Sequence, residues 1–215
     1  MNPRTYLEEL ITRYPMLHSC GEDIIKAYEL MCQSFEAGGK LLLAGNGGSC
    51  ADAEHIVGEL MKGFCLQRQI PASFVDKMKE IDGEAGAYLG KRLQGALPTL
   101  ALHTQQALST AYLNDVDGES LLAQALYGYG VAGDCLLAIS TSGNSSNVLY
   151  AVVVAKTKGI KVIGLTGKDG GKLKEMADIS IVVPQNETFK IQELHLPVYH
   201  CLCLMLEEYF FGQTE

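Results

Sequence analysis

Two short loops concentrate the side chains able to hold an anion. Gly45-Asn-Gly-Gly-Ser49 follows an apolar run and opens a helical stretch near Cys50, and Ser140-Thr-Ser-Gly-Asn-Ser145 does the same ahead of Asn147. The second loop sets hydroxyls at Ser140, Thr141, Ser142 and Ser145 around one glycine. That is a cradle for a phosphate without a fixed positive charge, completed by the unpaired N–H groups of the helix that follows. The bland alternative is a Ser/Thr-rich turn with capping serines. The place after a buried strand favours phosphate, because ligands of open α/β sheets sit outside the strand carboxyl ends. Neither loop is a nucleotide motif. There is no GxxxxGK[ST], Cys50 stands where G-x-G-x-x-G needs its third glycine, and no acidic residue closes the second strand, so no nucleotide cofactor is expected.

Candidate proton-transfer groups lie on two helices. The helix after the first loop carries Asp52, His55 and Glu59, and the last two, four apart, share a face. Their alternative reading is a solvated polar stripe. The final helix carries Gln192, Glu193, His195 and His200 among Leu194, Leu196, Val198, Leu202 and Leu204. A histidine in such a setting is more often a core or interface residue than a catalyst. His195 and His200 lie about 140° apart around the helix at roughly 100° per residue, so they cannot serve one site equally, and periodicity does not choose between them.

The elements that must position these groups alternate. Helical spacing runs through the first forty residues, interrupted at Pro15 and ended by Gly38-Gly39. Apolar runs at 40–44, 97–102, 134–140, 161–166 and 179–184 predict five buried strands. Helical stretches follow at 119–129, 147–158, 172–176 and 190–211, the last with Pro197 as a possible kink point. Strands alternating with helices predict an α/β fold, a doubly wound five-stranded parallel sheet covered on both faces. The mostly polar segment 65–96 reads as a helical excursion inside a single domain spanning 1–215.

Composition narrows the class. The net charge is −8 without a basic cluster, which argues against direct nucleic-acid binding. No apolar run approaches the ~18 residues that cross a bilayer, and MNPRTYLEEL is too polar for a signal peptide. Seven cysteines without regular spacing fit a reducing compartment and buried thiols. A cytoplasmic protein with no membrane partner is the expectation. The apolar terminal helices exceed what one domain needs to cover, which predicts an oligomer.

Ala44-Gly-Asn-Gly-Gly-Ser49, Ala53-Glu-His55 with Glu59, Ile139-Ser-Thr-Ser-Gly-Asn-Ser145, Leu165-Thr-Gly-Lys-Asp-Gly-Gly171 and Ile191-Gln-Glu-Leu-His-Leu with His200 resemble, in that order, the sugar isomerase (SIS) domain proteins. Within them they look most like phosphoheptose isomerases, which convert sedoheptulose 7-phosphate to an aldoheptose 7-phosphate. The resemblance covers nearly the whole chain. It implies that Ser140, Thr141, Ser142 and Ser145 hold the phosphate, and that Asn46, Gly47, Ser49, Asp115 and Gln192 contact the sugar. It also implies that Glu59 and His200 form the acid–base pair. His55, Glu59, Gln192 and His200 match the metal set of zinc-binding members, and the implied assembly is a homotetramer. The expected chemistry is aldose–ketose isomerisation: a proton moves between C1 and C2 through a cis-enediol, with a carboxylate at carbon and an imidazole at the oxygens. Glu59, on the helix that the glycine loop starts, is expected to face the space above the strand ends.

Three positions depart from the family pattern. Gly63 stands where phosphoheptose isomerases carry an arginine, the 65–96 segment is some two dozen residues longer, and Phe189-Lys190 replaces an Asp-Arg pair. The rival reading is a non-catalytic phosphosugar sensor, or an adaptor like the replication-initiator-associating proteins of the same family. Such a protein has no need of Glu59 and His200 together.

Overall fold

The computed structural model describes residues 2–212. Five strands, β1 (Leu41–Ala44), β2 (Thr99–Ala101), β3 (Cys135–Ile139), β4 (Lys161–Thr166) and β5 (Ile179–Val182), pair in parallel in the order β2-β1-β3-β4-β5. The chain winds outward in one direction from β1 to β2 and in the other from β3 to β5. The switch point therefore lies between β1 and β3, the strands whose carboxyl ends lead into the two loops. Leu41 pairs with Cys135 and Ala44 with Ala138, so both loops leave the sheet at the same level.

Continuous apolar strands are what a sheet buried on both faces requires. Leu41, Leu43, Leu137 and Ile139 point into one core with α1 (Arg4–Arg13), α2 (Gly21–Glu36), α3 (Gly48–Met61) and α10 (Thr188–Phe211). Leu42, Ala44, Leu136 and Ala138 point into the other with α7 (Leu121–Tyr129) and α8 (Ser146–Thr157). The remaining helices are α4 (Ala72–Ile81), α5 (Gly83–Gly90), α6 (Gln106–Asp115) and α9 (Gly171–Met176). Pro15 does interrupt the N-terminal helices, as a 3-10 turn over Pro15–Cys20. Among the described residues no helix is long and apolar enough to cross a membrane.

Some expected boundaries move. The second strand shortens to 99–101, because Pro98 has no N–H for the ladder, although its carbonyl still accepts from Leu41 N at 2.9 Å. The helix expected from 119 starts at Leu121, since Asp117 Oδ2 takes the N–H of Ser120 at 2.8 Å in a turn. The final helix runs through Pro197 unbroken. Within segment 65–96 the helices are α4 and α5, a pair that packs mainly on itself, and the flanking chain is non-helical, with Gln69 and Gln94 in an antiparallel bridge. Asp82 caps α5 by accepting from Glu84 N and Ala85 N, and a Cβ on Gly86 would stand 2.5 Å from Lys79 N, so only glycine allows this close crossing.

Candidate active site

The Ser140–Ser145 loop is shaped as a cradle. Ser140 Oγ and Ser145 Oγ lie 2.9 Å apart, and Ser145, at the N-cap of α8, makes no side-chain cap bond. The hydroxyls therefore leave the first N–H groups of α8 to an anion. Gly143 turns with φ 65°, and its carbonyl accepts from Leu173 N at 2.9 Å, while a Cβ there would stand 1.9 Å from Gly170 O. The Gly170-Gly171 turn after β4 thus buttresses the loop, helped by Asn144 Oδ1, which accepts from Lys172 N at 3.2 Å.

The glycine loop stands beside it. Asn46 and Asn147 exchange two amide hydrogen bonds of 2.8 Å, which clamp the loop after β1 to the first turn of α8 across the switch point. Asn147 carried no signal in the sequence beyond its place after the serines. Gly47 takes φ 54° at the N-cap of α3, and Ser49 is buried in the first turn. A Cβ on Gly48 would overlap the Gln192 amide, 2.1 Å from Nε2, so Gln192 of α10 rests on the glycine loop. Asp115 ends α6, where its carboxylate accepts from Asn114 Nδ2 at 2.7 Å; no hydrogen bond among the described residues ties it to Asn46 or Ser49.

Further along α3 and α10 lies a second cluster. Both ring nitrogens of His55 are engaged, Nε2 with Glu59 Oε1 at 3.1 Å and Nδ1 with the Tyr199 hydroxyl at 3.0 Å. The Tyr199 hydroxyl donates to Asp52 Oδ1 at 3.2 Å. With its one proton directed to Asp52, Tyr199 accepts from His55 in the tautomer that carries its proton on Nδ1. Burial raises the Asp52 carboxyl above its ordinary range despite the bond from Tyr199. The His200 ring lies 4.9 Å from that of His55, centre to centre, and its buried Nε2 has no partner among the described residues. Burial first, then the neighbouring His55, lower the His200 pKa, so its imidazole is neutral near pH 7. Tyr199 escaped sequence reasoning as a site member, because a tyrosine in an apolar helix reads as core.

These two clusters are not adjacent within one chain. Glu59 comes 11 residues after Gly48, about 16 Å along the helix axis. Leu60 O accepts from Leu97 N at 2.9 Å, just ahead of β2, which puts the end of α3 at the amino edge of the sheet. Glu59 therefore does not face the space above the strand ends. The serine cradle and the Glu59–His200 cluster stand toward opposite edges of the sheet.

The metal set divides in the same way. His55, Glu59 and His200 are neighbours whose donor types suit zinc, with His55 Nε2 3.1 Å from Glu59 Oε1 and the His55 and His200 rings 4.9 Å apart between centres, but their donor atoms do not close to the spacing of one ion's ligands. Gln192, eight residues before His200, stands with the glycine loop instead. His195 is a core residue: fully buried, it donates Nε2–H to Thr166 O at 3.3 Å, and burial lowers its pKa to about 4.

Gly63 cannot carry the family arginine as the chain is folded, since a Cβ would stand 2.5 Å from Leu66 O. A guanidinium is present nearby all the same. Arg68 is buried and donates to Leu60 O at 2.7 Å, to Glu59 O at 2.8 Å and to Glu207 Oε1 at 2.8 Å. It caps α3 through the backbone and leaves the Glu59 carboxylate free of it.

The switch-point loops and the hydroxyl cradle define a doubly wound α/β protein with a cradle shaped for a small anion at its strand ends. Residues 6–83 and 77–167 match the SIS domain model, and the chain belongs to the SIS domain family. It is 37% identical over 188 residues to the phosphoheptose isomerase of Citrifermentans bemidjiense, covering 87% of this chain and 84% of that one. It is 36% identical to the phosphoheptose isomerase of Shewanella sp. strain ANA-3, over 98% and 95% of the two chains. The solved phosphoheptose isomerase of Francisella tularensis superposes with a TM-score of 0.75 at 31% identity, over 95% of this chain and 96% of that one.

Proposed function

We propose that the chain is an aldose–ketose isomerase of sugar phosphates, with a ketoheptose 7-phosphate as substrate, working as a cytoplasmic homotetramer whose active sites are shared between copies. The observation that carries the shared site is the separation of the serine cradle from Glu59 and His200. Each half has the chemistry the reaction needs, and the two lie toward opposite edges of one chain's sheet, which supports a site completed by a second copy. The substrate class rests on relatives named phosphoheptose isomerase at 36–37% identity over most of the chain.

In this reading Ser140, Thr141, Ser142 and Ser145, with the start of α8, bind the phosphate. Asn46, Gly47, Ser49 and Gln192 meet the sugar hydroxyls, with Asp115 joining from α6. Glu59 of a second copy takes the proton from carbon, and His200 beside it moves protons at the oxygens in its neutral form. His55 keeps Glu59 oriented through the 3.1 Å contact of Nε2 with Oε1. Zinc, where bound by His55, Glu59 and His200, would supply Lewis-acid polarisation of the carbonyl.

Two variants test this together. Glu59→Gln should lower turnover by roughly 10²–10⁴-fold with near-normal substrate affinity and with loss of solvent deuterium exchange at C1 or C2. Ser142→Ala should weaken substrate binding instead. Co-expressed, the two should regain part of the activity, because some mixed sites carry an intact cradle and an intact Glu59. Retained exchange in Glu59→Gln refutes it as the base. Failure of the mixture to recover, with light scattering showing mixed oligomers, refutes the shared site.

A further inference from the structure

A third cluster lies outside the residues assigned above. Cys50 and Glu54 are four apart on the first turns of α3, and His103 follows β2, where Leu102 N still bonds Leu43 O at 2.9 Å. The three side chains bring one sulfur, one oxygen and one nitrogen within 4.8 Å of each other, the group of this kind among the described residues. His103 Nε2 lies 3.1 Å from Glu54 Oε1, and the His103 side chain is only 15% exposed. His103 Nδ1 is buried and has no hydrogen-bond partner, an unusual state for a polar atom that a protein does not use.

We propose that Cys50, Glu54 and His103 form a binding site for a thiophilic divalent cation, zinc in the first instance. One thiolate, one carboxylate and one imidazole are a zinc donor set, and three protein ligands leave a fourth position to water or to a ligand oxygen. A softer set than His55, Glu59 and His200, it owes its preference for zinc over magnesium or calcium to sulfur. Geometry locates its effect. The ion joins the start of α3, directly after Ser49, to the loop after β2, at the carboxyl edge of the sheet. It would therefore fix the glycine loop from the side opposite the Asn46–Asn147 clamp. Binding requires the Cys50 thiolate, and burial together with the Glu54 carboxylate holds that thiol above its ordinary range. Metal uptake thus releases a proton and strengthens as pH rises.

Cobalt(II) separates this site from the histidine cluster, since thiolate coordination produces a sulfur-to-cobalt charge-transfer absorption that nitrogen and oxygen ligands do not. The full-length reduced protein, stripped with chelator and titrated with Co²⁺ and then Zn²⁺, should show that band and lose it on zinc addition. Cys50→Ser should abolish the band, and His103→Ala and Glu54→Gln should each weaken cobalt affinity at least about tenfold. His200→Ala should leave the band unchanged, which keeps the outcome independent of the catalytic reading. Absence of the band in the wild-type protein overturns the proposal. So does a band that survives Cys50→Ser, which would move the thiolate to another cysteine such as the exposed Cys65.

Discussion

At the scale of single residues, the hydroxyl cradle was the most legible part of the molecule. Ser140 to Ser145 are contiguous, and a glycine with φ 65° among them is a local requirement that sequence displays. The Asp52–Tyr199–His55–Glu59 chain was only half legible. Asp52, His55 and Glu59 follow helical spacing, but Tyr199 joins them from 140 residues away, and nothing in an apolar helix marks one tyrosine as polar in role. Its hydroxyl is what sets the His55 tautomer. Tyr199→Phe leaves the ring packed while orphaning Asp52 Oδ1 and freeing His55 Nδ1. Turnover should fall by roughly 10- to 100-fold with KM little changed, because a base misplaced by a fraction of its reach loses rate before binding. Equal losses in turnover and in substrate affinity would show that Tyr199 merely supports the fold.

At the scale of elements, alternation of buried strands and amphipathic helices was enough to read the sheet and its covering layers. What it left open was how segment 62–68 joins the body after α3 ends. The answer is a buried polar knot. Glu207 accepts from Phe64 N, Cys65 N and Leu66 N as well as from Arg68, and Arg68 closes the last carbonyls of α3. A single arginine in a polar stretch, and a glutamate near the end of an apolar helix, carry no signal that they meet. Arg68→Ala leaves the Glu207 charge buried without its cation and Glu59 O without that donor, while Leu60 O keeps its bond from Leu97 N, which should cost about 3–5 kcal/mol in urea unfolding. Replacing both partners by apolar residues often restores such losses, but here three backbone N–H groups would stay orphaned. Arg68→Met with Glu207→Leu should therefore remain destabilised, and full recovery of the double variant would show that those N–H groups find other partners.

At the scale of the whole molecule, the sequence showed which residues share a helix but not that α3 carries Glu59 away from its own phosphate cradle to the other edge of the sheet. Direction along a helix becomes meaningful only once the sheet is assembled, and the same is true of burial. His195 reads from sequence as one of two histidines in the last helix; in the fold it is sealed between α10 and the end of β4, neutral and donating to Thr166 O. That makes it a determinant of acid stability. Its folded pKa of about 4 lies below the ordinary value of 6.5, so the unfolded chain takes up a proton that the native state refuses. Stability is fully present above pH 6.5 and is lost as pH falls toward 4, by about 3 kcal/mol over that window. His200, also lowered by burial, adds in the same direction. Asp52, raised by burial, acts with the opposite sign just above the normal carboxylate range and trims the lower end of the slope. Urea unfolding followed from pH 7.5 to 4.5 should show stability falling steadily with acid. His195→Gln keeps a donor for Thr166 O but does not titrate, so its unfolding curves should move much less over the same range. A variant with the wild-type slope would place the proton uptake elsewhere, with the other buried groups as its carriers.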